Sequence, residues 1–228
     1  MPDTDSAVRR PPSAPSALVA QQTTPSILFV VGGSVPLTSG SGDAFIETTL
    51  LGMNYSVVVK NQSSAVTADA TGKALVIISS TVSAGTVGTK FRDIAVPVIT
   101  WETALYAPMN MTDGSQTANN GAGTPVTTTL TITAPGHALA AGLTNRVAVF
   151  TATQGLAYGT PSTNAIKVAP LASSTTKAVY FAYDTGSALL GWRFAPRIRD
   201  ISQQRLFTPS DDGDYAPLTP INRSEHPC

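Results

Sequence analysis

The sequence predicts an α/β fold: a mainly parallel sheet with a β-rich C-terminal continuation. Three observations carry this. Four short apolar runs recur along residues 27–101, each bounded by glycine, proline or polar residues. The stretches between them carry helix or turn punctuation. From about Thr112 the texture turns to threonine-rich alternation with Gly, Pro and Asn turns. Runs that are apolar on both faces belong to strands covered on both sides, and helices between them are the form of right-handed βαβ crossovers.

Residues 1–25 contain Pro2, Pro11, Pro12, Pro15 and Pro25 in polar surroundings, and read as a disordered leader or linker. Order is expected from "SILFVVGG", where Ile27 to Val31 form the first strand before Gly32 and Gly33. In "SGSGDAFIETTLLGMNY", Asp43 is the expected N-cap and Gly52 the expected residue past the C-cap. Phe45, Ile46, Leu50 and Leu51 are expected on one face. Tyr55 to Val59 form the second strand, a polar turn or short helix spans Thr67 to Gly72, and "KALVIISST" is the third strand. "SAGTVGTKFRDI" offers a short helix directing Val87, Phe91 and Ile94 inward, and "VPVITW" is the fourth strand.

After a loop at "TDGSQTANNGAGTP", "VTTTLTI" alternates as a half-exposed strand does. "AIKVAPLA" and "KAVYFAYDTG" supply further short strands, expected to extend the same sheet or form an antiparallel edge. Residues 191–228 lose this texture and gain Arg, Pro and Asp, and read as an irregular tail. The division is therefore 1–25 leader, 26–190 α/β domain and 191–228 tail.

Composition excludes several function classes. Only 12% of residues are charged, about half the usual ~25%, with Ser, Thr, Ala and Gly in their place, a surface often found outside the cytoplasm. Fourteen basic and 14 acidic residues cancel, so no general field draws the chain to nucleic acid or anionic membranes. The basic group Arg193, Arg197, Arg199 and Arg205 is answered by Asp211, Asp212 and Asp214. The lone Cys228 excludes an intrachain disulfide and a cysteine metal cluster, and His137 and His226 have no ligand spacing. No apolar run approaches the ~20 residues of a membrane helix, so no membrane insertion is expected. The leader lacks the ~7–15-residue apolar core of a signal peptide.

"ILFVVGG", "ALVIISSTVSAGTVGTKFRDIAVPVITWE" and "GHALAAGL" together resemble the glutamine-amidotransferase-like, flavodoxin-like domains of bacterial secreted multidomain proteins, distantly the ThuA-like proteins. The resemblance spans roughly residues 26–190. It implies a three-layer sandwich, attachment to carbohydrate-binding or adhesive modules, and an extracellular or cell-surface location. Two departures stand out: Ala138 follows His137 where the ThuA-like pattern has proline, and the tail supplies neither the final strand nor the final helix. A truncated, divergent or frame-shifted terminus would account for the second.

An amidotransferase needs a cysteine on a tight strand-to-helix turn, yet the fourth strand exits as Ile99-Thr100-Trp101-Glu102, which excludes glutaminase chemistry. No Gly-x-Ser-x-Gly elbow occurs, so Ser79 and Ser80 read as hydroxyls capping the third strand. "GGSVPLTSGSGD" is neither a dinucleotide fingerprint nor a P-loop, and no cofactor is expected.

With strand order 2-1-3-4, the carboxyl edge gathers Gly32, Gly33, Ser34, Ser79, Ser80, Trp101 and Glu102, the candidate ligand site. An indole beside carboxylate and hydroxyl groups could stack on a sugar. Alternatively, Trp101 packs beneath the following loop while Glu102 caps backbone amides, which is the expectation adopted. His137 is expected to cap a turn rather than act as a general base. Together with the resemblance, which implies carbohydrate or neighbouring modules of a larger protein as partners, these residues lead to the expectation of a non-catalytic accessory or binding module. The alternatives are a ThuA-like carbohydrate-processing enzyme acting through Glu102 and His137, and a flavodoxin-type electron carrier.

Overall fold

The computed structural model describes residues 24–112, 120–121, 126–172 and 174–190. The expectations for the leader before residue 24 and for the tail from residue 191 lie outside them. Strands β1 (Ser26–Val31), β2 (Ser56–Asn61), β3 (Leu75–Ile78) and β4 (Val98–Thr100) form a parallel sheet in the order β2-β1-β3-β4. The chain steps from β1 outward to β2, then returns to place β3 on the other side of β1. The strand order therefore reverses between β1 and β3.

Alternation along β1 explains why its sequence is apolar at every position. Leu28 and Val30 enter one cluster with Val76, Ile78, Val87, Phe91 and Leu105, while Ile27, Phe29 and Val31 enter a second with Ile46, Leu50, Leu75 and Ile77. Each face of the sheet thus carries its own core, as a buried parallel strand requires. Complete burial of such side chains contributes about 1.5–3 kcal/mol each, so the five buried residues of β1 make it the centre of the domain.

Helix α1 (Gly42–Gly52) buries Asp43, Ile46 and Leu50, a stripe three and four residues apart, of which Ile46 and Leu50 cover the second cluster. Its ends differ from expectation. Ser41, not Asp43, is the N-cap, its hydroxyl accepting from the Ala44 amide at 3.2 Å. At the other end Gly52 stays helical and Met53 is the C-cap. Asn54 takes the left-handed conformation at φ 64°. The Tyr55 amide donates to Leu50 O and the Asn54 amide to Leu51 O, a Schellman closure with asparagine in the usual glycine place. Leu51, expected on the buried face, is 52% exposed, because it lies about 100° round the helix from Leu50 and so off the buried stripe.

The crossover after β3 carries the short helix expected there. Helix α2 (Ala84–Val87) has four residues and stops where Gly88 takes φ 53°. Val87 and Phe91 are buried as predicted, with Ile94 half-buried against them. A 3₁₀ turn at Thr67–Ala70 fills the place read as a polar turn.

Beyond residue 112 the structure corrects the expectation of an extended sheet. The remaining strands are β5 (Asn120–Gly121), β6 (Val126–Thr127), β7 (Thr129–Ile132), β8 (Asn145–Ala148), β9 (Gln154–Gly155), β10 (Tyr158–Gly159), β11 (Ile166–Pro170) and β12 (Ala178–Ala182). They build small antiparallel sheets, β11-β12-β10-β5, β6-β9 and β7-β8, and none pairs with β4 among the described residues. β5 falls inside the segment read wholly as a loop. Leu130, Ile132, Phe150, Leu156 and Val168 form the core of this half.

Candidate functional site

The carboxyl ends of β1 and β3 meet the start of α1 at the reversal of strand order, the usual ligand crevice of open parallel sheets. Here the crevice is closed by the protein's own side chains. Asp43, in the first turn of α1, is only 5% exposed, and Ser79, just past β3, is 1% exposed. The Ser79 hydroxyl donates to Asp43 Oδ1 at 2.5 Å, and the Thr81 hydroxyl donates to Asp43 Oδ2 at 2.8 Å. Each hydroxyl also accepts a backbone amide: Thr81 N–H reaches Ser79 Oγ at 3.1 Å, and Gly32 N–H reaches Thr81 Oγ1 at 3.0 Å. Charge-assisted O–H bonds of this length are among the stronger kinds in proteins. A negative group at a helix start is further favoured by the helix dipole.

Gly32 is required here by contact. A Cβ on Gly32 would stand 1.8 Å from the Thr81 carbonyl oxygen and 2.5 Å from its carbon. The neighbouring loop is tied back by Asn61, whose Nδ2 donates to Gly33 O at 2.6 Å and to Gly32 O at 3.2 Å. Ser34 is exposed and turns its hydroxyl toward Pro36 O at 3.4 Å, while Ser80 is half-buried beside the buried Ser79.

Trp101 and Glu102 hold the exit of β4. The Trp101 amide donates to Ile78 O, and its half-buried side chain packs against the cluster under α1. Glu102 N-caps a 3₁₀ turn at Thr103–Leu105, its Oε1 accepting from the Ala104 amide at 2.8 Å. The capping expectation for Glu102 therefore stands on an observed bond.

His137 lies in the antiparallel half. Its Nδ1 accepts from the Leu139 amide at 3.3 Å, capping the turn at Ala138–Ala140, and its Nε2 stands 2.9 Å from Asp184 Oδ1. In the neutral ring, that bond to Leu139 leaves the proton on Nε2, where it is donated to Asp184. Both nitrogens are thereby engaged.

A second polar node joins the two halves. The Tyr183 hydroxyl donates to Met111 O at 2.6 Å and accepts from the Ser162 amide at 2.9 Å. Burial pushes its phenol up, and burial does the same at Tyr180.

The structure thus brings Gly32, Gly33 and Ser79 together, with Trp101 and Glu102 at the neighbouring strand exit, and places His137 elsewhere. Sequence reasoning missed Asp43 and Thr81 as members of the site and Asp184 as the partner of His137. The available signal was an acidic residue in the first turn after the first strand and hydroxyl residues after the third. Among the described residues no group of three or more His, Cys, Asp or Glu could hold a metal, and no helix is long and apolar enough to cross a membrane.

No family model, curated protein or solved structure matches the chain. What stands is an α/β domain with a four-strand parallel sheet followed by small antiparallel sheets.

Proposed function

We propose that this chain is a non-catalytic binding or accessory module of a secreted or cell-surface protein, built on an amidotransferase-like, flavodoxin-like sandwich. The strand order β2-β1-β3-β4, with a separate core on each face, supports that finer fold assignment.

The observation that carries the functional reading is the engagement of the chemical groups at the crevice. Asp43 is held by two hydroxyls, and Ser79, the one buried hydroxyl of the set, spends its proton on that carboxylate. A nucleophile must be exposed to its substrate, and Ser79, 1% exposed, is not. The same carboxylate occupies the helix start where a phosphate would otherwise be received, which argues against the electron-carrier alternative. Trp101 and Glu102 at the β4 exit remain the surface on which a neutral, carbohydrate-type ligand would be received.

The His137–Asp184 pair favours one second reading, the carbohydrate-processing enzyme. In that reading Nδ1 would have to leave the Leu139 amide before the ring could accept a proton.

The test is a titration of tryptophan fluorescence with neutral mono- and oligosaccharides, paired with assays for their turnover. Saturable binding without turnover supports the module. Turnover abolished by His137→Ala or Asp184→Asn would establish the enzyme instead. Stoichiometric flavin in the purified protein would overturn both.

A further inference from the structure

We infer that Asn54 is an acceptor for N-linked glycosylation, taking an oligosaccharide from a polyprenyl-diphosphate-linked donor; the inference rests on the reading of the chain as a secreted or cell-surface module. The triplet Asn-x-Ser/Thr, with x other than proline, is the acceptor pattern: the asparagine amide receives the sugar, and the transferase reads the hydroxyl two residues on. The sequence holds it at Asn54-Tyr55-Ser56, Asn61-Gln62-Ser63, Asn110-Met111-Thr112 and Asn222-Arg223-Ser224, the last outside the described residues. Sequence alone ranks none of them. The structure separates the first three.

Asn61 is already committed. Its Nδ2 donates to both Gly33 O and Gly32 O, and its Oδ1 accepts from the Ser63 amide at 2.9 Å. A sugar on Nδ2 would replace one of the two donated protons and stand where the loop after β1 is tied down. Asn110 lies where the two halves meet: its carbonyl accepts from the Leu190 amide, and Thr112, whose hydroxyl the triplet needs, is 2% exposed. Asn54 differs on every count. It is exposed, it stands at φ 64° on the turn that closes α1, and Ser56 is exposed too. That turn is closed by backbone bonds, and among the described residues no hydrogen bond engages the side chain of Asn54 or Ser56. A substituent on Asn54 Nδ2 therefore breaks nothing.

The surroundings suit a bulky neutral chain. No charged residue occurs from Thr48 to Val59, and Leu51, whose carbonyl takes the Asn54 amide, is among the exposed large apolar residues. The C–H face of a first sugar would shield it from water while the sugar hydroxyls stay hydrated. In the transfer, Asn54 Nδ2 attacks the anomeric carbon of the donor. A carbon–nitrogen bond forms as the carbon–oxygen bond to the diphosphate breaks; the lipid diphosphate leaves with the electron pair, and one Nδ2 proton passes to a basic group of the transferase.

The test expresses the full chain, behind an attached secretion signal, in a eukaryotic secretory host. Glycans are released enzymatically in heavy-oxygen water, which leaves each vacated asparagine as a labelled aspartate, and peptide mass spectrometry locates the label. It should fall on Asn54 and be absent from Asn61 and Asn110. Ser56→Ala should abolish it with Asn54 still in place, and Ser56→Thr, which keeps the hydroxyl, should retain it. An unlabelled Asn54 in the secreted protein, label persisting in Ser56→Ala, or label at Asn61 or Asn110 equal to that at Asn54 would each overturn the inference. Because the signal is supplied, an empty Asn54 counts against the acceptor alone, whereas retention of the native gene product in the cytoplasm would count against the secreted reading.

Discussion

Removing the Asp43 carboxylate should be among the more costly single changes in this domain, and its cost should be shared with Ser79. Asp43→Ala strands the Ser79 hydroxyl in a site 1% exposed, and it also releases the Thr81 hydroxyl, which is exposed enough to rebond to water. A bond to a charged group is worth about 1.5–3 kcal/mol net. The Ser79 bond should be lost at nearly that full value and the Thr81 bond at well under half of it. The acid in the first turn adds about 0.3–1 kcal/mol of dipole interaction. Together these give about 3 kcal/mol for Asp43→Ala. Ser79→Ala should cost about 2 kcal/mol, because it removes one donor to Asp43 and the acceptor of the Thr81 amide. The double variant should be less destabilised than the sum by about 1–2 kcal/mol, since the second change removes a bond already lost. Urea unfolding of the four proteins measures the cycle, with equal m-values confirming that the same surface is exposed in each. Additivity within about 0.5 kcal/mol would show that Asp43 and Ser79 contribute independently, and would refute the coupled crevice.

Three further outcomes are expected. Gly32→Ala should lower stability by about 3 kcal/mol or more, above the usual overpacking range, because a backbone carbonyl rather than a flexible side chain stands 1.8 Å away; thermal and urea unfolding check it. Tyr183→Phe should cost about 1–3 kcal/mol by leaving Met111 O and Ser162 N–H unmatched. Because the folded phenol titrates above its ordinary value of 10.0, its contribution is present below that pH and is lost as pH rises through the folded value, so the Tyr183→Phe protein should show a weaker alkaline decline in stability. At the acid end, the Lys60 hydrogen bond, helped by the Val66 amide, holds Asp69 below its ordinary value of 3.8. Its contribution is present above that value and lost as pH falls through the folded one; Asp69→Asn should remove this, by about 0.2–1 kcal/mol for so accessible a pair, as acid titration of stability would show.

The strands that were legible in the sequence are those whose residues are buried on both faces. Ile27 to Val31 and Leu75 to Ile78 are apolar at every position because either face meets a core, and no other pattern competes with that reading. The helix caps were less legible. Asp43 and Ser41 are both good caps, and the choice between them is made by Ser79 and Thr81, 36 and 38 residues away, which claim the carboxylate. The threonine-rich half gave up its strands, such as Thr129–Ile132, but not their partners, since alternation marks a half-buried strand without saying which sheet it joins. His137 was correctly placed at a turn, while its bond to Asp184 spans 47 residues and leaves no local trace.

The Tyr183 hydroxyl, set between Met111 and Ser162, governs how the molecule would come apart. It is reinforced by the edge-to-face contact of Tyr106 with Phe181 and by the Leu190 amide on Asn110 O. These links clamp the segment that leaves the parallel sheet onto the last antiparallel strands, so the two halves share a seam rather than a tether. A cut in the chain near residue 112 would leave both fragments with a torn surface, and neither half is a portable unit that could be spliced into another protein alone.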